Sequence, residues 1–318
     1  MHHVVSFGPI ASAQVLAELD QRYHFQRFDE PLADPERFLA ALATADGLIG
    51  SSLPLGAELL DQAPALKVIA SVSAGYDNYD LGYLRQRGIR LSNTPDAVTE
   101  TTADTGFMLL MMAARRACEL AQLVRDGGWT RSIDASRFGL DVHGKTLGIV
   151  GLGRIGAAVA RRGHFGFGMP VVYSGNSDKP EYEAAFGARR LPLPELLAEA
   201  DFICVCVPLS AVTYHLFGRE QFAAMRPGAI FVNIARGAVV DEPALVEALA
   251  EGRLRAAGLD VFEREPLPAD SPLLAMPQVV ALPHIGSATV EARGLMARTA
   301  AAELAALLEG RAARHPVV

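Results

Sequence analysis

Cysteine is scarce in this 318-residue chain, with only Cys118, Cys204 and Cys206, and no pair has Cys-x-x-Cys spacing. Cys204 and Cys206 alternate within the apolar stretch DFICVCVP, where both face one side of a strand. Their expected use is core packing in a reducing compartment, and a disulfide framework is excluded. An excess of basic residues is also missing: 29 Lys and Arg stand against 36 Asp and Glu, a formal charge of −7. No basic stripe is available to meet a nucleic-acid backbone, and no nucleic-acid partner is expected. The longest apolar stretch, Phe107 to Ala114, is flanked by Asp104 and by Arg115 and Arg116. It falls far short of the ~20 residues needed to cross a bilayer, so no membrane partner is expected. The opening MHHVVSFGPI has neither a basic region nor a long apolar core; it reads as a first strand, not a signal peptide, and the expected location is cytoplasmic. No metal site is expected.

What is present is half hydrophobic in composition and long enough for two cores. Strand and helix signals alternate in two sets, the signature of α/β architecture with parallel sheets. The first set runs through HHVVSF, a helix near Ala13 to Leu19, HFQRF, a helix near Pro35 to Ala43, GLIGS, LKVIASVS and IRLSN. The second runs through TLGIV, PVVYS, DFICVCV, AIFVNIA, AAGLDV and VVALPH. Between them, residues 96–125 read as one long helix, and TVEARGLMARTAAAELAALLEG reads as a second, with no strand signal after it. The economical arrangement is a split domain. Residues 1–95 plus 288–318 would form a substrate domain, and residues 96–287 a dinucleotide-binding domain inserted between two hinge helices. The expected fold is thus two Rossmann-like or flavodoxin-like lobes with parallel sheets and an interdomain cleft.

The stretch IVGLGRIG carries a strand into three glycines, Gly151, Gly153 and Gly156, and then a helix. In that context G-x-G-x-x-G predicts a dinucleotide turn: one glycine turns the chain, one lets a pyrophosphate approach, and one lets helix and strand pack. A cofactor with a free 2′-hydroxyl is usually held by an acid at the end of the next strand, but here that strand ends at Tyr173-Ser174. Ser174, Asn176 and Ser177 can donate hydrogen bonds and Lys179 adds a positive charge, which favours NADP over NAD. No arginine stands in this loop, and Asp178 either opposes a phosphate or binds the ribose itself.

Three later strand ends carry reactive side chains: NIARG with Arg236, GLDVFEREP with Asp260, Glu263 and Glu265, and ALPHIGSAT with His284 and Ser287. In open α/β sheets the carboxyl ends of strands face the ligand crevice. An arginine, a carboxylate and a histidine make a kit for reducing a 2-keto acid. The arginine forks onto carboxylate and carbonyl, the histidinium donates a proton as hydride reaches the carbon, and the carboxylate orients the ring and keeps it protonated. By position, either Glu263 or Glu265 could be that carboxylate.

GLGRIG, NIARG, GLDVFEREP and PHIGSAT, in this order, resemble the D-isomer-specific 2-hydroxyacid dehydrogenase family over essentially the whole chain. The resemblance implies that Arg236, Glu265 and His284 are catalytic, and that Ala74 and Gly75 of SVSAGYDN, with Ser287, bind substrate. It further implies that Asp260 holds the nicotinamide carboxamide, and that Thr105, Arg154, Ile155, Pro208, Thr213, Ala235 and Gly286 contact the cofactor. The phrases RRGHFGFGMPVVYSG and DSPLLAMPQVVALPHIGSAT look most like the glyoxylate, hydroxypyruvate and 2-ketogluconate reductases. That branch often has arginine where Asn176 stands. Two other functions compete with reduction of a small 2-keto acid: an NAD-dependent enzyme oxidising a D-hydroxy acid, and a non-catalytic nucleotide sensor, against which the complete Arg, Glu and His set argues. The apolar segment Phe107 to Leu123, together with Trp129, predicts a homodimer, and side chains near Leu53, Tyr76 and Trp129 are candidates to size the substrate pocket.

Overall fold

A computed structural model describes residues 1–318. The chain divides into two compact units, Met1–Val98 with Ser287–Val318, and Thr99–Gly286.

The first unit is built on five parallel strands, β1 (His3–Phe7), β2 (His24–Gln26), β3 (Gly47–Gly50), β4 (Val68–Ser71) and β5 (Arg90–Ser92), in the order β2-β1-β3-β4-β5. Strands β3 and β4 are buried along their whole length, which is why they read as continuous apolar runs instead of alternating ones. Helix starts follow their capping residues: Ser12 accepts from the Val15 N–H, Asp34 from Arg37, Asp80 from Tyr83 and Thr289 from Ala292. The Val290–Leu308 helix lies against β3 so closely that a Cβ on Gly47 would meet Leu304 at 3.0 Å. Beyond that helix, where the sequence carries no strand signal, the chain returns to the sheet edge. Pro316 bridges antiparallel to Ser92, and the N–H groups of Val317 and Val318 donate to the Leu91 carbonyl.

The second unit holds seven parallel strands: β6 (Leu147–Val150), β7 (Val171–Ser174), β8 (Arg189–Arg190), β9 (Phe202–Val205), β10 (Ala229–Asn233), β11 (Leu254–Leu259) and β12 (Val279–Ala281). Their order is β12-β11-β10-β9-β6-β7-β8, so the chain starts at β6, builds outward to β8, then returns to lay β9 on the other side of β6. That reversal is a topological switch point, where the loops leaving β6 and β9 part and open a crevice at the carboxyl ends of the strands. Alternate residues fill two cores: Ile149, Tyr173, Cys204 and Val232 face one, and Val150, Val172, Ile203 and Phe231 the other. Cys204 and Cys206 are both free thiols, with their sulfurs 3.8 Å apart.

One expected element is wrong in detail. Residues 96–125 are a short 3-10 turn, Pro95–Ala97, and two helices, Thr99–Arg115 and Ala117–Arg125. Arg116 between them takes a left-handed conformation (φ 54°), and its guanidinium pairs with Glu119 and donates to the Ser136 carbonyl. The first of these helices buries Leu109, Leu110, Ala113 and Ala114 inside its own unit, whereas the second buries no residue fully. No helix is long and apolar enough to cross a membrane.

Candidate active site

The turn after β6 is shaped by what a side chain would strike. Gly151 has φ 98°, donates to the Ser174 carbonyl at 2.8 Å, and would place a Cβ 2.9 Å from the backbone of Cys206. A Cβ on Gly156 would lie 2.2 Å from the Gly151 carbonyl oxygen, so the helix Arg154–Phe167 can pack on the turn only without it. Gly153, the N-cap of that helix, has no atom within 4 Å of where its Cβ would be. Packing therefore requires Gly151 and Gly156 and leaves Gly153 beside open space, at the positive end of a 14-residue helix beginning with Arg154 and Ile155. A pyrophosphate fits there.

In the loop that would meet the ribose, Ser174 is half-buried and Asn176 and Ser177 are exposed. Tyr173, buried in the core, accepts from the Lys179 N–H at 2.8 Å and donates to Glu183 at 2.6 Å, fixing one end of the loop. At the other end stands Arg190. Its Nε and Nη2 donate to the Gly175 carbonyl at 3.3 and 2.8 Å, and Nη1 donates to Asp178 at 2.8 Å. The loop contains no arginine, but β8 supplies one because its register sets Arg190 opposite Tyr173. Thr213 closes the loop after β9 through a 2.6 Å bond to the carbonyl of Pro208, which is itself exposed. Thr105 is buried within its helix, donating to the Thr101 carbonyl at 3.2 Å.

Arg236 follows the end of β10 by three residues. Buried Asn233 braces this turn from both sides, accepting from the Ala235 N–H and donating to the Arg236 carbonyl, each at 3.0 Å. The next residue, Gly237, lies against the backbone of Phe262, where a Cβ would come within 1.8 Å. The loops after β10 and β11 are thereby pressed together, and the Arg236 charge acts on Glu265.

His284 and Glu265 meet directly, Nδ1 to Oε2 at 2.7 Å, while the other Glu265 oxygen accepts from the Phe262 N–H at 3.0 Å. Burial alone would push the Glu265 carboxyl up, but the bonds from the His284 ring and Phe262, with the charges of His284 and Arg236, hold it below its ordinary value. His284 has φ 53°, an uncommon conformation that histidine tolerates better than most residues. Buried Asp260 fixes the segment that follows, accepting from the N–H groups of Ile285 at 2.7 Å and Gly286 at 2.8 Å. Burial pushes the Asp260 carboxyl up, helped by the charge of Glu265, against the opposing pull of those two N–H bonds and of His284. Thr102 secures the same segment by donating to the Gly286 carbonyl at 3.0 Å. Glu263 points elsewhere and pairs with His215 at 2.7 Å, which the Tyr214 ring stacks upon. The choice left open by position alone thus falls to Glu265. Beside the pair lies an apolar cavity of about 530 Å³ lined by Phe262, Pro266, Leu267, Leu274 and Leu282.

In the first unit, the loop after β4 carries Ala74 and Gly75. The Asn93 side chain donates to the Ala74 carbonyl at 2.8 Å, and neither Ala74 nor Gly75 spends its N–H on an acceptor in the chain. Ser287 opens the returning segment of this unit, half-buried. No group of three or more His, Cys, Asp or Glu side chains is gathered to hold a metal ion.

Residues 107–286 match the family model for the NAD binding domain of D-isomer specific 2-hydroxyacid dehydrogenases. The chain belongs to that family. Among its relatives, a glyoxylate/hydroxypyruvate reductase B of Escherichia fergusonii is 53% identical over 282 residues, covering 89% of this chain and 87% of the relative. A solved protein from Thermus thermophilus superposes with a TM-score of 0.90 at 44% identity, covering 99% of both chains. An NADPH-dependent glyoxylate/hydroxypyruvate reductase from Sinorhizobium meliloti, solved with NADP and malonate, superposes at 0.88 with 33% identity, covering 99% of this chain and 96% of that one. As a member of the family, the dehydrogenase uses a nicotinamide dinucleotide. Sequence reasoning missed Asn233, Arg190 and Thr102. An asparagine ending an otherwise apolar strand could have pointed to the first, but nothing in the two-residue β8 marked the second.

Proposed function

We propose that this dehydrogenase works in the cytoplasm as a reductase, converting glyoxylate to glycolate, or hydroxypyruvate or 2-ketogluconate to the D-2-hydroxy acid, with NADPH preferred over NADH. The observation that carries this reading is the 2.7 Å contact of Glu265 with His284 Nδ1, within the field of Arg236. Because Nδ1 is engaged by Glu265, Nε2 is the nitrogen left to face substrate, and it delivers a proton to the carbonyl oxygen. Arg236 draws negative charge onto that oxygen and grips the substrate carboxylate as a fork. The N–H groups of Ala74 and Gly75 and the Ser287 hydroxyl serve the substrate carboxylate, and Asp260, with lone pairs to spare, takes the nicotinamide carboxamide. When bound, the reduced nicotinamide supplies the hydride. The Escherichia and Sinorhizobium relatives, both glyoxylate/hydroxypyruvate reductases, support the reductive direction and the first two of these keto acids.

The enzyme is further proposed to be a homodimer. The helix Thr99–Arg115 buries most of its apolar side in its own unit, and the exposed Val124, Trp129, Ile133 and Phe138 that follow it are what support the dimer. A matrix of glyoxylate, hydroxypyruvate, 2-ketogluconate, pyruvate and phenylpyruvate against both coenzymes tests the reading. Fastest turnover of one of the first three with NADPH is expected. Equal or better turnover with NADH would instead make exposed Asp178 a ribose ligand and favour the oxidative, NAD-dependent alternative.

A further inference from the structure

The end of β7 lacks the acid that usually holds a ribose 2′-hydroxyl, and the loop after it lacks the arginine that would hold a 2′-phosphate, but the guanidinium of Arg190 lies on that loop. We propose that Arg190, reaching in from β8, reads the 2′ position of the adenosine ribose and sets the preference for the phosphorylated coenzyme. The inference rests on the coenzyme reading given above and names the residue responsible.

Three bonds to Gly175 and Asp178 use three of the five guanidinium N–H groups, so two remain for a ligand. Asp178 is the one acid in the loop, and Arg190 engages it, leaving the positive charge of Lys179 uncancelled there. The Arg190–Asp178 pair is open to water, with side-chain exposures of 40% and 72%, and such a pair is weak. A phosphate dianion at the same place offers the guanidinium a stronger, bidentate partner. Neighbouring Arg189 does not compete for this role, because it is paired with Glu199. The loop is held at its far end by the bond from the Lys179 N–H to the Tyr173 hydroxyl, so removing the Arg190 side chain leaves one anchor in place.

Adenosine 2′,5′-bisphosphate and 5′-AMP differ only in the 2′-phosphate, and calorimetric titration of each onto the purified full chain reads the contact without turnover. Arg190→Gln is expected to weaken the bisphosphate at least tenfold while leaving 5′-AMP within twofold. Its kcat/KM should fall by a similar factor with NADPH and hold steady with NADH. Arg190→Lys, which keeps the charge but not the fork, should fall between. Equal losses for both nucleotides would mean that Arg190 only supports the loop, and would overturn the inference. An unchanged preference would overturn it too. In that case a wild type that still favours the bisphosphate leaves the NADPH reading standing, whereas a wild type that binds the two nucleotides alike overturns both.

Discussion

His284 is held by a left-handed backbone, a carboxylate on Nδ1 and a following segment tied to buried Asp260. Residues kept in such sparse conformations persist when their surroundings fix them, and here the fixing groups leave one ring nitrogen free. His284→Asn is expected to lower kcat for keto-acid reduction by roughly 10²–10⁴, the usual worth of a positioned acid, with coenzyme affinity unchanged. Glu265 holds the ring through Nδ1, so Glu265→Gln, which weakens that grip, should lower kcat for keto-acid reduction while coenzyme affinity is unchanged. Glu263→Gln should leave kcat in place, since Glu263 pairs with His215. The reverse outcome in steady-state rates would mean that the wrong carboxylate has been assigned. Stability follows the same pair with its own sign. The Glu265 carboxyl titrates below its ordinary value in the folded chain, so its stabilising effect is present above the ordinary glutamate pKa of about 4.3 and is lost only as pH falls further, through the folded value. The thermal deficit of Glu265→Gln should therefore be full near neutrality and shrink in acid.

At the scale of elements, the turn after β6 separates packing from ligand contact. Gly156→Ala would put a methyl 2.2 Å from the Gly151 oxygen. Overpacking of this kind costs about 1–3 kcal/mol, so both the melting temperature and coenzyme affinity should fall. Gly153→Ala meets no protein atom and should melt like wild type yet bind coenzyme poorly, because the methyl occupies the space of the pyrophosphate. Loss of melting temperature in Gly153→Ala, or intact coenzyme binding there, would refute this division. The legibility of the chain follows the same physics. Buried parallel strands such as GLIG and FICV announce themselves as apolar runs, and capping residues announce the helix starts. By contrast, β8 is two arginines with no pattern, yet its register delivers Arg190 to the loop after β7. The break at Arg116 is held by a guanidinium reaching Ser136, twenty residues along the chain, which helix propensity does not register. Glu263 and Glu265 are both acids two residues apart, and only their partners in space tell them apart.

For the whole molecule, exposed apolar side chains recur along the segment after the Ala117–Arg125 helix, with Trp129 63% and Phe138 53% exposed. Phe165, 65% exposed, and Met108 line an open groove of about 820 Å³ between the helices Thr99–Arg115 and Arg154–Phe167, alongside the charged Glu100, Asp104, Arg161 and Arg162. The proposed homodimer would cover this apolar surface, a two-fold dimer being the commonest closed assembly of soluble proteins. Light scattering is expected to give twice the 33.9 kDa chain mass at micromolar concentration, and a monomer would refute the dimer. That the chain reduces a 2-keto acid to the D-hydroxy acid through His284 and Arg236 is checked by the configuration of its product. Purified enzyme given NADPH and hydroxypyruvate should form one D-2-hydroxy acid per coenzyme oxidised, as read by chiral chromatography alongside absorbance. Formation of the L-isomer, or no turnover of any keto acid in the matrix despite coenzyme binding, would contradict it.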